Sequence, residues 1–204
     1  VFGGLYLPHL RDAVWAELAR AEAILRAGEG VAWEVRDIDQ DGHDELWIHD
    51  ATYSAILSPA RGGVIEEYTV FAHGINYANT LTRQREGYHE PAPGGARVSH
   101  HDADGTPVVS ALGEQMRHNE LPPVDPEPRT LLRERGLDLE VDQAMFERGD
   151  YDADWRVDGT RLAMEVAREG EDGVVVSFRA VEAGVPVFEK RYHFRRGGGI
   201  VAEY

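Results

Sequence analysis

The sequence contains no cysteine, and Lys190 is the single lysine among its 21 basic residues. Without cysteine there are no disulfide staples, thiolate nucleophiles or zinc–thiolate sites, and the composition is neutral to mildly favourable for a cytoplasmic home. The remaining basic residues are arginine, a bias traced more easily to genomic base composition than to a binding patch. They are outnumbered by 37 acidic residues, for a net charge of -16. Such a chain repels phosphate backbones and anionic lipid, which argues against nucleic acid and membrane as partners. The acidic excess with scarce lysine also suits a salt-adapted cytosol. Long hydrophobic runs are missing too: nothing approaches the roughly 20 apolar residues of a membrane span. The first residues lack the basic start of a signal peptide, and VFGGLY reads as internal sequence. There is no GxSxG, phosphate-binding glycine loop, dinucleotide fingerprint, internal repeat or coiled-coil heptad.

What is present is enough for a sizeable core, since 42% of the 204 residues are hydrophobic. Pro8 fits the first turn of a helix, Asp12 suits its positive end, and Gly28 is a natural stop. Leu10, Val14, Leu18, Ala21 and Leu25 recur at three- and four-residue spacing, an apolar stripe that must pack on the following sheet or on another domain. Glu22 and Arg26 fit an ordinary surface ion pair.

From Val31 the period changes to two. Strands are predicted at 31–36, 45–50, 53–58 and 64–71, punctuated by Gly42, the Pro59–Gly63 segment and Gly74. Much of 86–130 reads as loop, with a short strand near Ala96–His101. Alternation returns in Leu162, Met164 and Val166, then in Val174, Val176 and Phe178, with a hairpin turn over Glu169–Gly173. Phe188, Lys190, Tyr192 and Phe194 share one face, and Gly197–Gly199 lead into Ile200 and Val201. Frequent turns with a single helix predict a mainly β fold, an antiparallel β-sandwich preceded by one N-terminal α-helix.

The densest chemistry is VRDIDQDGHDELWI, from Val35 to Ile48. Asp37, Asp39 and Asp41 supply side-chain oxygens at alternate positions, Gly42 permits a sharp turn, His43 can offer its carbonyl, and Glu45 falls at position nine, the spacing of calcium loops. Position twelve is Ile48, so the bidentate glutamate of a helix-loop-helix calcium hand is missing. The arrangement is similar to calcium loops set between strands in integrin-type propellers. Clustered carboxylates repel without a cation, so a structural calcium is expected, against the alternative of an acidic hairpin turn held by aspartate-to-backbone bonds.

Other groups suit a sugar. Phe2 and Tyr6, beside two glycines, can stack on a pyranose ring, although a packed lead-in to the helix serves equally well. The Asn76–His89 segment carries Asn76, Arg83, Tyr88 and His89 among many hydrogen-bonding groups, and can equally tie down its own backbone. His100 and His101 show no recognised zinc spacing and would face opposite ways on a strand.

In order, VFGGLYLPHLRDAVWAELARAE, VRDIDQDGHDEL, SPARGGVIEEYTV and INYANTLTRQREGYH resemble the C-terminal part of glycoside hydrolase family 57, the α-amylase and 4-α-glucanotransferase group. DPEPRTLLRERGL and VFEKRYHFRRGGGIVAEY extend the resemblance over essentially the whole chain. It implies a galactose-mutarotase-like β-sandwich following a catalytic (β/α)7 barrel and a helical segment. Residues 1–29 would be the end of that segment and 30–204 the sandwich, with a Trp-His-Gly sequence directly preceding Val1. It further implies a retaining mechanism whose glutamate nucleophile and aspartate acid/base lie on the barrel, so neither falls on this sequence. The expected role is non-catalytic: supporting the barrel and helping to hold α-1,4-glucan or a maltooligosaccharide. The alternatives are an independent carbohydrate-binding module, or a mutarotase-like sugar epimerase with a histidine and a carboxylate converging on a pyranose.

Overall fold

A computed structural model describes residues 8–78, 82, 125, 128–151, 153–156, 161–182 and 185–204. The chain divides into two units. The larger comprises Val1–Leu81 with Arg129–Tyr204, and the smaller, Thr82–Pro128, falls almost wholly outside the described residues. The loop and short strand expected within 86–130 therefore lie outside the described residues, apart from Asp125 and residues 128–130.

The larger unit begins with α1 (Pro8–Leu25), followed by β1 (Ala32–Arg36), β2 (Glu45–His49), β3 (Tyr53–Ser58), β4 (Val64–Val70) and β5 (Ile75–Asn76). These five strands form one antiparallel sheet in chain order. After β6 (Arg135–Leu137), α2 (Gln143–Arg148) and β7 (Ala153–Arg156) come β8 (Ala163–Glu169), β9 (Gly173–Glu182), β10 (Val185–Arg195) and β11 (Ile200–Glu203). The last four make a second antiparallel sheet, and β6 pairs with β7 as a separate ribbon. The four strands predicted between 31 and 71 match within a residue, β8 to β11 contain the later alternating runs from Met164 onward, and β5, β6 and β7 are additions the alternation does not announce. The short helix α2 is a departure from the single-helix expectation; its signals are the Asp142 carboxylate accepting from Met145 N at 2.8 Å and Gly149 closing the other end with φ 70°.

Alternation of side chains assembles the core. Leu46 and Ile48, then Tyr53, Ala55 and Leu57, meet Val174, Val176, Phe178, Tyr192 and Phe194 from the facing sheet, all buried. Tyr53 stacks on Phe194 with centroids 6.1 Å apart, and Tyr192 donates to the Gly63 carbonyl at 3.0 Å. Gly63 has φ 66°, and a Cβ there would sit 2.6 Å from the Phe178 ring, so only glycine fits. Lys190 shares this inward face and is fully buried, donating to Glu134 at 2.8 Å and to the Leu132 carbonyl at 3.1 Å. Tyr204 donates to the other Glu134 oxygen at 2.7 Å.

The helix packs by a face other than the one its leucines mark. Val14, Leu18 and Leu25 are exposed by 48%, 53% and 80%. Arg11, Trp15, Ala19, Glu22 and Arg26, one residue and hence about 100° further round, form the covered stripe. The reason lies in the sheet surface beneath. The core-facing side chains of the first sheet are taken by the sandwich, leaving His49, Ser54, Thr69 and Asn76 buried on the other side, and a polar surface accepts a helix face that mixes Arg11, Glu22 and Arg26 with Trp15 and Ala19. Close approach is helped at Gly74, where the Ala16 methyl would lie 3.5 Å from an added Cβ.

Candidate metal centre

The acidic loop joins β1 to β2, whose register from Ala32–His49 to Arg36–Glu45 places Glu45 opposite the start of the turn. The chain reverses with Gln40 at φ 64° and Gly42 at φ 91°. Its aspartates bond the backbone: Asp37 accepts from Asp41 N at 3.1 Å and Gly42 N at 3.0 Å, and Asp39 accepts from Asp41 N at 3.2 Å. Asp41 accepts from His43 N at 2.8 Å, and Glu45 from Ile38 N at 2.9 Å. These are the aspartate-to-backbone bonds of an ordinary acidic turn.

The same geometry brings one carboxylate oxygen each from Asp37, Asp39 and Glu45 within 4.8 Å of one another. Asp41 and His43 are outside that group. Asp41 has its second oxygen 3.9 Å from Arg61, and the His43 ring lies 3.2 Å from the Arg161 guanidinium. Arg61 also reaches Asp39 at 3.4 Å and Glu66 at 2.7 Å. Burial, and then the neighbouring aspartates, push the Glu45 carboxyl up, opposed by its bond from Ile38. The donor set is all oxygen and fits a hard cation such as calcium, since each carboxylate retains lone pairs beyond its backbone bond. Arg61 already supplies part of the compensating charge, a contributor the local spacing could not announce because it comes from beyond β3.

The other candidates lie mostly elsewhere. Phe2, Tyr6, Arg83, Tyr88, His89, His100 and His101 are outside the described residues. Asn76, counted among the sugar-facing groups, is buried and instead ties down backbone: its carbonyl oxygen accepts from Tyr68 N at 3.3 Å and Ala78 N at 3.0 Å. One histidine does meet carboxylates on the outer face of the second sheet. His193 lies 3.0 Å from Glu169 through Nδ1 and 3.4 Å from Glu203 through Nε2. Glu169 is also approached by Arg195 at 3.8 Å, so the histidine sits in a group of surface ion pairs; Arg179 forms another with Glu165 and Glu189.

Comparison with known proteins agrees with this architecture. The family described as Alpha-amylase/4-alpha-glucanotransferase, C-terminal, matches residues 37–196. A 4-alpha-glucanotransferase from Thermococcus kodakarensis is 38% identical over 116 residues, which are 57% of this chain and 17% of that protein. Alpha-amylase 1 from Dictyoglomus thermophilum is 40% identical over 89 residues, 44% of this chain and 13% of that protein. The crystal structure of 4-alpha-glucanotransferase from Thermococcus litoralis superposes with a TM-score of 0.62 at 23% identity, covering 99% of this chain and 28% of that one. The matches thus span under a fifth of the first two relatives and 28% of the solved structure. Its two antiparallel sheets and the family match over most of its length lead to one conclusion: the chain belongs to the C-terminal domain family of α-amylases and 4-α-glucanotransferases.

Proposed function

We propose that this chain is a non-catalytic β-sandwich that supports the catalytic barrel of a longer, cytoplasmic α-glucan-processing protein and helps hold α-1,4-glucan. The observation that carries the reading is the family match over 37–196 in a chain covering only 17% of a 4-alpha-glucanotransferase. Chemistry on the barrel would proceed through a glycosyl-enzyme intermediate, and this domain would contribute stability and substrate contact. The test is an assay of the purified 204-residue chain on maltoheptaose. No disproportionation or hydrolysis is expected; turnover would overturn the non-catalytic role. Calorimetry on the same sample separates the two remaining contributions, since heat of binding favours a glucan-holding surface and silence favours a scaffold.

The acidic loop enters the reading as a structural calcium site. Asp37, Asp39 and Glu45 would hold the ion, with Asp41 and His43 completing the turn around it. Calcium there would screen the carboxylates and lock the β1–β2 register, linking ion binding to folding. The missing position-twelve glutamate makes binding weaker than in a full calcium hand. Melting in calcium and in chelator decides it: a rise with calcium is expected, and identical curves would leave an acidic turn.

A further inference from the structure

We propose that His49 is a pH-sensitive latch, holding the C-terminal end of α1 on the first sheet as a neutral hydrogen-bond acceptor and releasing that end when protonated. The imidazole projects from the helix-covered face of β2, and its side chain is only 6% exposed. Its Nδ1 lies 2.7 Å from Nη1 of Arg26. A guanidinium can only donate, so Nδ1 must carry a lone pair and the ring proton belongs on Nε2. That tautomer is the one in which the helix is docked.

Arg26 transmits the state of the ring to the helix. Its Nε donates to Glu22 one turn back at 2.7 Å, and its guanidinium lies over the Trp47 ring at 4.7 Å. Trp47 is itself anchored by its indole N–H on Ser54 at 2.7 Å, and Arg36 approaches the same ring at 5.0 Å. The last turn of α1 is therefore clamped through one arginine to two side chains of β2. Among the described residues, the carboxylates facing His49 are Glu29, 3.3 Å from Nδ1, and Glu34, 3.9 Å from Nε2, with Glu22 behind Arg26. Glu29 is already shared with Arg26 at 3.3 Å, and Glu34 is about half exposed and too far for a hydrogen bond.

Protonation would place an Nδ1–H against the guanidinium N–H and a second positive charge beside the first in a site with little water. Burial first, and Arg26 second, hold the His49 pKa below its ordinary value, outweighing Glu29, Glu34 and Glu22. The sign follows: a histidine depressed in the folded state contributes stability that is present above its unfolded pKa and is lost as pH falls below it. The Arg26 guanidinium then has to leave the Trp47 face, and the last helical turn leaves with it.

Amide exchange, corrected for intrinsic rates and followed between about pH 7.5 and pH 5.5, tests this. In the unaltered protein, protection of Glu22–Gly28 is expected to fall roughly tenfold further than protection of Val174–Phe178 in the core. His49→Gln keeps a carbonyl acceptor for Arg26 and cannot titrate, so its helix should track the core strand throughout. Equal loss in His49→Gln, or equal behaviour of helix and core in the unaltered protein, would overturn the latch. Should His49→Gln not fold, nitrogen-15 shifts of the imidazole in the unaltered protein decide: a neutral ring protonated on Nε2 at about pH 7 is required. A charged or Nδ1-protonated ring would sink the idea.

Discussion

Asp50 and Gly197, separated by 147 positions in the chain, are joined by a 2.9 Å hydrogen bond from the Gly197 N–H to Asp50 Oδ2. The other oxygen, Oδ1, accepts from Thr52 N at 2.6 Å, Thr52 Oγ1 at 2.6 Å and Tyr53 N at 3.1 Å. One fully buried carboxylate thus shapes the β2–β3 turn of one sheet and holds the β10–β11 turn of the other.

Asp50→Ala would strand those donors and is expected to cost about 3 kcal/mol, with Asp50→Asn losing less. Urea unfolding of the two variants checks the order. A loss below about 0.5 kcal/mol for the alanine would show the turns to be held by other contacts.

Gly63→Ala places a methyl against Phe178 at a left-handed backbone position, so both strain and overpacking oppose it. A loss of about 3 kcal/mol or more is expected, with the largest packing change at Phe178. A near-neutral result by thermal melting would mean that β9 shifts to make room.

The Lys190–Glu134 pair is buried, at 0% and 15% side-chain exposure, so breaking one side leaves an uncompensated charge. Lys190→Met alone is expected to cost about 3–5 kcal/mol. Adding Glu134→Leu should recover much of that loss, because two apolar side chains need no partners. A double variant as unstable as the single one would show that the Glu134–Tyr204 bond carries the stability instead.

Glu67 supplies the pH prediction for the sheet. Burial, then Glu66 and Glu22, push its carboxyl up to about 7 against the bond from Asn76. A raised carboxyl favours the protonated form in the folded state, so its contribution is full below the unfolded value of 4.5 and is lost as pH rises through about 7. Glu67→Gln should therefore gain on the unaltered protein between about pH 5 and pH 8. Parallel melting curves for the two proteins over that range would contradict the burial argument.

Arg61 supplies positive charge to the acidic loop, near Asp39, Asp41 and Glu66. Removing it by Arg61→Ala should lower melting in chelator by a few degrees, and calcium should restore more of the loss than it adds to the unaltered protein. Equal calcium effects in both proteins would separate Arg61 from calcium binding at the loop.

Strands were legible wherever one face is buried, because alternation such as Leu46–Ile48 or Val174–Val176–Phe178 leaves a single workable register. The bulge in β4 was not. Ile56 pairs with Glu67 and Leu57 with Ile65, so Glu66 is left unpaired and buried beside Arg61. Two adjacent glutamates carry no sign of that slip. Glu22 and Arg26 read as an ordinary surface pair, yet Arg26 is only 11% exposed because its partners include His49 and Trp47 from β2.

The sequence by itself determined where the main strands lie, the sandwich class and the acidic turn, since hydrophobic period and glycine placement are local properties. Tertiary structure alone decided which face of α1 packs, that Arg61 completes the acidic loop, and that Asp50 and Lys190 bridge distant segments. Those choices depend on what each surface meets. A leucine stripe predicts burial only when an apolar partner is free, and here the sandwich had already claimed the apolar face of the first sheet.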